Sequence, residues 1–356
     1  MTAAATMPKP VCQVMLDGKD LTSRIMPRLV SLSIESSRED HADQLDLSFS
    51  DTDGKVAIPR KGVAIQVTLG YQNVGTHVQG SYNVDEVEHR GTPDIISVTA
   101  RSARVSGPLR TRKERSWDQT TVGHIVSVIA REHGLTPRVS ADLAAKFVTH
   151  IDQTESDMAF LRRIGKQWDA VATVKAGNLI FSPIGKASTV SGTALPTIRI
   201  TRRDGDDHTY HSADRNKYTG VRARWHDMDA ARAKGVTAGT NEHVKVIREH
   251  FASEEDAKRA ATAEYARLKR GAETFALRLA KGRPDIYPEM PVELVGWNPT
   301  ITAVDWIVTK VKHTYSGESA FITNIDLESK ATASQTPAKG DDNDGGDDTD
   351  EPENDA

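Results

Sequence analysis

The stretch Val63-Ala64-Ile65-Gln66-Val67-Thr68-Leu69-Gly70 decides the fold class. Apolar residues stand at every second position, small or polar ones stand between them, and a glycine ends the run. Successive side chains of a strand point to opposite faces, so this pattern predicts a strand with one face on a core and one toward water. Leu45, Leu47 and Phe49 repeat it upstream, and Ile96, Val98 and Ala100 repeat it downstream. Asp53-Gly54, Asn73 to Gly75 and Gly91-Thr92-Pro93 supply turn residues around these runs. Short strands at this spacing predict an antiparallel sandwich or barrel over residues 11–107.

Beyond it the period changes. Val122, Ile125, Val126, Ile129 and Ala130 fall on one helical face. Asp118 or Thr120 is the expected N-cap, and Gly134 the expected left-handed stop. Thr154-Glu155-Ser156-Asp157 resembles a capping box with Asp in place of Glu, and it precedes a helix with Leu161, Ile164 and Trp168 inside. Val171 to Pro183 returns to period two around a Lys175-Ala176-Gly177-Asn178 turn, which predicts a hairpin. Residues 108–190 therefore predict an α+β region.

Residues 191–330 read as β again. Ile198 and Ile200 alternate, as do Val221, Ala223 and Trp225, then Phe275, Leu277 and Leu279, then Phe321, Thr323, Ile325 and Leu327. One helix, 253–270, interrupts, capped by Ser253-Glu254-Glu255-Asp256 and lined by Ala257, Ala261, Tyr265 and Leu268. Residues 227–242, rich in Ala, Gly and Asp, predict an exposed loop. The fold class expected is thus α+β and β-rich, with two β units flanking an α+β region.

Composition bounds the rest. At roughly 100–200 residues per domain, a chain of 356 residues predicts two or three domains. The net charge of −4 hides an asymmetry. Residues 331–356 hold nine acidic residues and one Lys, leaving 45 basic against 41 acidic in the remainder. That segment has no aliphatic residue larger than Ala. It cannot offset an ordering cost of about 1–2 kcal/mol per residue and is expected to be a disordered acidic tail. Residues 1–10 are expected to be flexible. A net +4 over the first 330 residues is too weak to argue for nucleic-acid recognition. Cys12 is alone, which excludes an intramolecular disulfide and a Cys-based zinc site. No apolar run approaches the ~18 residues of a membrane helix, and Met1 to Pro10 lacks a secretory apolar core. A soluble protein of a reducing cytoplasm, without membrane insertion, is expected.

No phosphate-binding glycine loop, metalloprotease His pair or nucleophile elbow occurs. Glu132-His133 reads as a helix end where a cationic His suits the dipole, rather than as a metal ligand. His208-Thr209-Tyr210-His211 is the best metal candidate, with a solvated loop the simpler reading. Glu86 and Glu88, beside Asp85, share one side of a strand, which suits a solvated or interface face better than an acid/base pair. Asp204-Gly205-Asp206-Asp207 resembles a calcium loop only weakly and reads as a turn. Arg110 to Arg115 reads as a solvated inter-domain linker rather than an anion site, and Cys12 as an ordinary residue rather than a nucleophile. No catalytic, cofactor-binding or metal residue is assigned.

Five stretches carry a resemblance. They are Gly80-Ser81-Tyr82-Asn83-Val84-Asp85-Glu86-Val87-Glu88-His89-Arg90-Gly91 running on to Val98–Ala103, Ser116 to Gly134, Ile151 to Ile164, Trp306 to His313, and Phe321 to Glu328. Gln153 and Glu155-Ser156-Asp157 before Phe160-Leu161 are the most specific part. Together they resemble the phage late control gene D family, the tail hub proteins of contractile-tailed phages, over about residues 10–330. The match is weakest over 185–250. The family is similar to the N-terminal part of type VI secretion spike proteins.

The resemblance implies two small antiparallel β-barrel-like domains with α+β insertions, placed at 11–107 and 191–330 around the α+β region 108–190. It implies a homotrimer that joins the tail tube protein to the central spike protein in the baseplate of a virion tail, built in the host bacterial cytoplasm. It implies no enzyme and no cofactor, a tail-associated cell-wall hydrolase being the alternative. For residues 331–356 the alternatives are an inert solvated tail or a contact with a basic partner, such as another baseplate protein or the tape measure protein.

Overall fold

Alternating apolar residues become paired strands throughout the computed structural model, which describes residues 8–38, 42–102, 109, 111–175, 177–212, 218–227, 232–316 and 320–330. The expectations for residues 1–7 and for the tail 331–356 lie outside the described residues. The chain divides into a larger unit, within residues 1–216 and 266–332, and a smaller one whose described residues run from 218 to 265.

The larger unit opens with β1 (Pro10–Leu16), β2 (Lys19–Asp20), the one-turn α1 (Thr22–Ile25), β3 (Leu29–Ser37), β4 (Gln44–Ser50), β5 (Ala64–Tyr71), β6 (Gly75–Arg90) and β7 (Ile95–Arg101). Their order is β3-β4-β7-β6-β5-β1-β2, antiparallel throughout. Leu45, Leu47 and Phe49, Ile65, Val67 and Leu69, and Ile96, Val98 and Ala100 are all buried, as their period requires. Cys12 and Val14 of β1 share one hydrophobic cluster with Leu32 and Ile34 of β3, although these strands lie far apart in the order. The sheet therefore curls around its own core. Asn73, at positive φ, turns β5 into β6, and Gly91-Thr92-Pro93 turns β6 into β7.

The α+β region holds β8 (Arg115–Thr121), α2 (Val122–Glu132), β9 (Thr136–Val139), α3 (Ala141–Ala144), β10 (Phe147–Gln153), α4 (Asp157–Gln167), β11 (Ala170–Lys175) and β12 (Asn178–Pro183). Strands β8 and β10 pair, and β11-β12-β9 form a second small sheet with β9 parallel to β12. The 171–183 hairpin forms as expected, and all five residues of the expected apolar face of α2 are buried.

The caps differ from expectation. Thr121, not Asp118 or Thr120, accepts the His124 N–H at 3.2 Å. Asp118 and Thr120 are still paired with His150 and Val148 in the sheet, so neither stands directly before the first helical residue. Ser156, not Thr154, caps α4 by accepting from Ala159 N. Gly165 lets α4 approach β11, because a Cβ there would stand 2.5 Å from the Ala170 carbonyl oxygen.

After β13 (Ile198–Thr201) and β14 (Gly205–Ser212) the chain builds the smaller unit. Its strands are β15 (Gly220–Asp227), β16 (Arg232–Gly239) and β17 (Val244–Phe251), in the order β16-β15-β17, followed by α5 (Glu254–Arg270). The expected loop over 227–242 is corrected: β16 occupies most of its described part, pairing with β15 from Gly220↔Gly239 to Asp227↔Arg232. Small residues on both faces of β16, the buried Ala238 and the exposed Ala233 and Gly235, looked like loop composition. Val221, Ala223, Ala238, Ala257 and Ala261 are all buried in this unit. Ser253 caps α5 by accepting from Asp256 N at 3.2 Å, as expected.

The larger unit resumes with β18 (Glu273–Leu279), β19 (Pro291–Val295), the one-turn α6 (Pro299–Thr302), β20 (Trp306–Ser316) and β21 (Phe321–Ser329). These strands enclose a core of Ile198, Ile200, Phe275, Leu277, Trp306, Ile325 and neighbours. Strand β20 then pairs with β3, from Lys310↔Ser37 to Ser316↔Ser31. One thirteen-stranded sheet results, with the path β14-β18-β21-β20-β3-β4-β7-β6-β5-β1-β2. The expectation of antiparallel pairing holds for most of it, but β13 runs parallel to β19, and in the smaller unit's sheet β15 runs parallel to β17. Among the described residues no helix is long and apolar enough to cross a membrane.

Candidate functional site

The most specific sequence stretch forms a buried polar cluster. Because Ser156 takes the cap, Asp157 becomes the first residue of α4, with its carboxylate wholly buried. Lys113 Nζ donates to it at 2.7 Å, Arg115 Nη2 at 2.8 Å and Gln153 Nε2 at 2.8 Å. His133 Nε2, at 2.6 Å, donates as well, since an ionised carboxylate only accepts. Glu132 accepts from Lys113 at 2.8 Å and from Arg115 at 2.7 Å. Gln153 Oε1 accepts from Arg115 Nε and Trp117 Nε1, and the Arg115 guanidinium lies 4.4 Å from the Trp117 ring centre. Burial, the largest influence, acts to raise the Asp157 pKa. The donors Lys113, His133 and Gln153 outweigh it and hold the carboxyl below its ordinary value.

Ligand atoms of Glu132, His133 and Asp157 lie within 4.8 Å of one another. They do not fit a metal ion. The carboxylates already accept from two cations, and the His133 nitrogen is a donor. The cluster fastens the start of α4 to the end of α2 and to β8 and β10. The expected solvated linker over Arg110–Arg115 is thereby corrected: Lys113 and Arg115 are bound into this cluster, while Arg110 lies outside the described residues. Their cationic heads seek the one carboxylate that burial would otherwise destabilise.

A second network joins distant parts of the larger unit. Arg38, at the end of β3, bonds Glu289 at 3.0 Å and Glu328 at 2.5 Å. Arg270 bonds Asp169 through both terminal nitrogens and lies 3.5 Å from Glu328. Glu289 also accepts from the Gly185 N–H at 2.9 Å. Burial would lower the Arg38 pKa, but Glu289 and Glu328 raise it. A cavity of ≈ 460 Å³ lies beside this network, lined by Arg38, Asp43, Lys175, Glu289 and His313 among others. Its cations are already engaged, Lys175 with Asp43 at 3.0 Å.

The other candidates scatter. His208 and His211 stand three apart on β14, a strand rather than the expected loop, so they face opposite sides and cannot share a metal. His208 packs on Phe275 and Trp297, while His211 is exposed. Glu86 and Glu88 are exposed on β6. Asp204 accepts from Thr201 N and Oγ1 and closes a turn over 201–204, while Gly205 to Asp207 of the expected turn already belong to β14. Cys12 is buried, which pushes its thiol up to about 12 and leaves no thiolate for chemistry. The Asp157 cluster had a sequence signal, a Gln and an Asp four apart ahead of an apolar helix face. The Arg38 network had none, because its members come from five separated segments.

With this geometry in place, comparison identifies the family. The chain is 37% identical over 381 aligned positions to the probable baseplate hub protein of Escherichia phage 186, covering 95% of this chain and 98% of that one. Its fold matches the crystal structure of a 43 kDa tail protein from prophage MuSo2 of Shewanella oneidensis, with a TM-score of 0.68, 13% identity, and coverage of 89% and 98%. It also matches the Escherichia coli c3393 protein, a component of the type VI secretion system, with a TM-score of 0.56, 10% identity, and coverage of 88% and 76%. Residues 44–319 match the sequence model of the family described as phage tail baseplate hub (GPD), so the chain belongs to that family of structural hub proteins.

Proposed function

We propose that the chain is the trimeric adaptor that joins the tail tube to the central spike in the baseplate of a contractile phage tail or a related injection device. The observation that carries this reading is the continuous sheet. Strand β20 pairs with β3, so two β cores share one hydrogen-bonded frame, and the ion pairs Lys175–Asp43 and Asp169–Arg270 tie the α+β region to the rest of the larger unit. Such a frame transmits load without hinge points. The partners are two further copies, the tube protein, the spike protein and other baseplate proteins, assembled in the host cytoplasm. The division at 11–107, 108–190 and 191–330 belongs to the same proposal.

The work is structural and needs no catalytic residue. The buried carboxylate of Asp157 and the half-buried one of Glu289 are held by cations, and the exposed pair Glu86 and Glu88 lies open to water. Light scattering on the full chain, alone and mixed with tube and spike proteins, tests the reading. A trimer is expected alone or in at least one mixture, and monomer in all of them overturns it. The same preparation is expected to leave peptidoglycan intact. Turnover lost in Glu86→Gln or Glu88→Gln would establish a hydrolase instead.

A further inference from the structure

The small sheet of residues 220–251 has two unlike faces. On one, Val221 and Ala223 are fully buried, Lys245 Nζ reaches Glu264 of α5 at 2.6 Å, and the Tyr265 ring lies against Gly239. That face is covered by α5. On the other, β15 presents Arg222, Arg224 and His226 at alternate positions. Their cross-strand neighbours are Thr237, Gly235 and Ala233 on β16, with Val246 and His250 on β17. No carboxylate stands at any of these register positions; the irregular stretch between Val246 and His250 adds the exposed Arg248 and Glu249. Arg224, His226, Ala233, Gly235 and His250 are exposed, and Val246 is 46% exposed. Arg222 donates to Thr237 at 3.3 Å, and among the described residues no carboxylate pairs with Arg224. This is an open, basic, flat face with an apolar spot, in a chain whose net charge is negative.

We propose that this face is the docking surface for the chain's own acidic segment, residues 341–355. Charge complementarity selects it: the last 26 residues carry nine acidic side chains and one Lys. Length favours it as well: 26 residues follow Lys330, the last one described, and have a contour of roughly 85 Å. Tethering favours it, because a covalently attached segment meets the face at an effective concentration of about a millimolar, which a free acidic ligand must exceed. The segment thus masks the face, and a more strongly acidic or better-fitting partner gains access by displacing it. Two arginines and two histidines are a small footprint for duplex DNA, whose binding rests on many phosphate contacts. The proposal does not depend on the trimeric adaptor reading.

The test uses the full-length chain with Asp341, Asp342, Asp344, Asp347, Asp348 and Asp350 all replaced by Asn, so that its own segment cannot compete. A fluorescein-labelled peptide of residues 331–356 is titrated against it by anisotropy. Saturable binding is expected, weakened about tenfold or more when salt rises from about 50 to about 500 mM. Adding Arg224→Glu is expected to weaken it about tenfold, and Thr237→Glu, on the neighbouring strand, to do the same. The unaltered chain, its segment in place, is expected to bind the peptide about tenfold less tightly. Circular dichroism checks that each variant folds. No binding to the neutralised chain, equal binding by the unaltered chain, or indifference to both substitutions overturns the proposal. So does binding of a short duplex DNA that depends on Arg224 and that the peptide fails to displace.

Discussion

At Asp157 two opposed effects meet: burial, which disfavours charge, and hydrogen-bond donors, Lys113 foremost, which favour it. Removing the charge leaves Lys113 and Arg115 with Glu132 alone. Asp157→Asn is therefore expected to cost about 3 kcal/mol, the order found when one partner of a buried ion pair is removed, read as a lower urea midpoint with unchanged slope. The Asp157 pKa is depressed in the fold, so its contribution is complete above the unfolded value and fades as pH falls through the folded one. His313 works in the same direction by another route. Burial pushes its pKa down to about 4, and it sits between Thr323 Oγ1 at 2.9 Å and the Ile286 backbone, with Asp285 nearby. The unfolded chain, with His near 6.5, then binds more protons than the fold between the two values, so stability rises with pH across that window. Acidification from about pH 7 to about pH 5 is expected to cost roughly 2 kcal/mol at this residue, and His313→Asn should flatten that part of the stability profile. A flat profile in the unaltered protein would count against a neutral buried His313. The Asp157 cluster was signalled in part by Gln153 and Asp157, four apart ahead of an apolar helix face, whereas the environment of His313 was not legible from its neighbours in sequence. His313 stands in a β-run whose period places it inside, but nothing there names Thr323, ten residues on, as its partner.

Elements were more legible than their ends. Periodicity placed β4, β5, β7, α2, α4, β18 and β21 with their buried faces correct, because one strongly apolar face leaves a single register that hides it. The ends depend on one hydrogen bond each, and several Ser, Thr and Asp residues stood close enough to supply it. Thr121→Ala is expected to cost about 1 kcal/mol through the lost bond to His124 N, whereas Asp118→Ala, exposed on β8, should stay within about 0.5 kcal/mol. Equal losses in thermal melts of the two variants would return the cap to the strand. Strand β16 escaped detection for a different reason. On the side it shares with Val221 and Ala223 it offers only Val236 and Ala238 as apolar residues beside Lys234, while Ala233 and Gly235 lie on the exposed side, and that composition also describes loops.

At the scale of the larger unit the decisive contacts are between residues far apart in the chain, where sequence patterns carry no information. The pairing of β20 with β3 makes one sheet of two cores, and the Arg38 network fastens the segment around Asp169 and Gly185 to it. The α+β region has its own hydrophobic cluster and its own polar cluster at Asp157, so it can in principle loosen while the curled sheet of β5 to β7 stays closed. Arg38 opposes that. Its removal leaves the half-buried Glu289 with the Gly185 N–H as its donor and leaves Glu328 with the more distant Arg270. Arg38→Ala is therefore expected to cost about 3–5 kcal/mol. More tellingly, the loss should be local in hydrogen exchange. Amides of β11, β12 and the 284–290 segment should exchange faster, while those of β5, β6 and β7 keep their protection. Arg38→Lys, which keeps the charge but not the two-pronged contact, should fall between. Uniform acceleration across both regions would mean that the unit opens only as a whole, and unchanged exchange would mean that the sheet alone holds the α+β region in place.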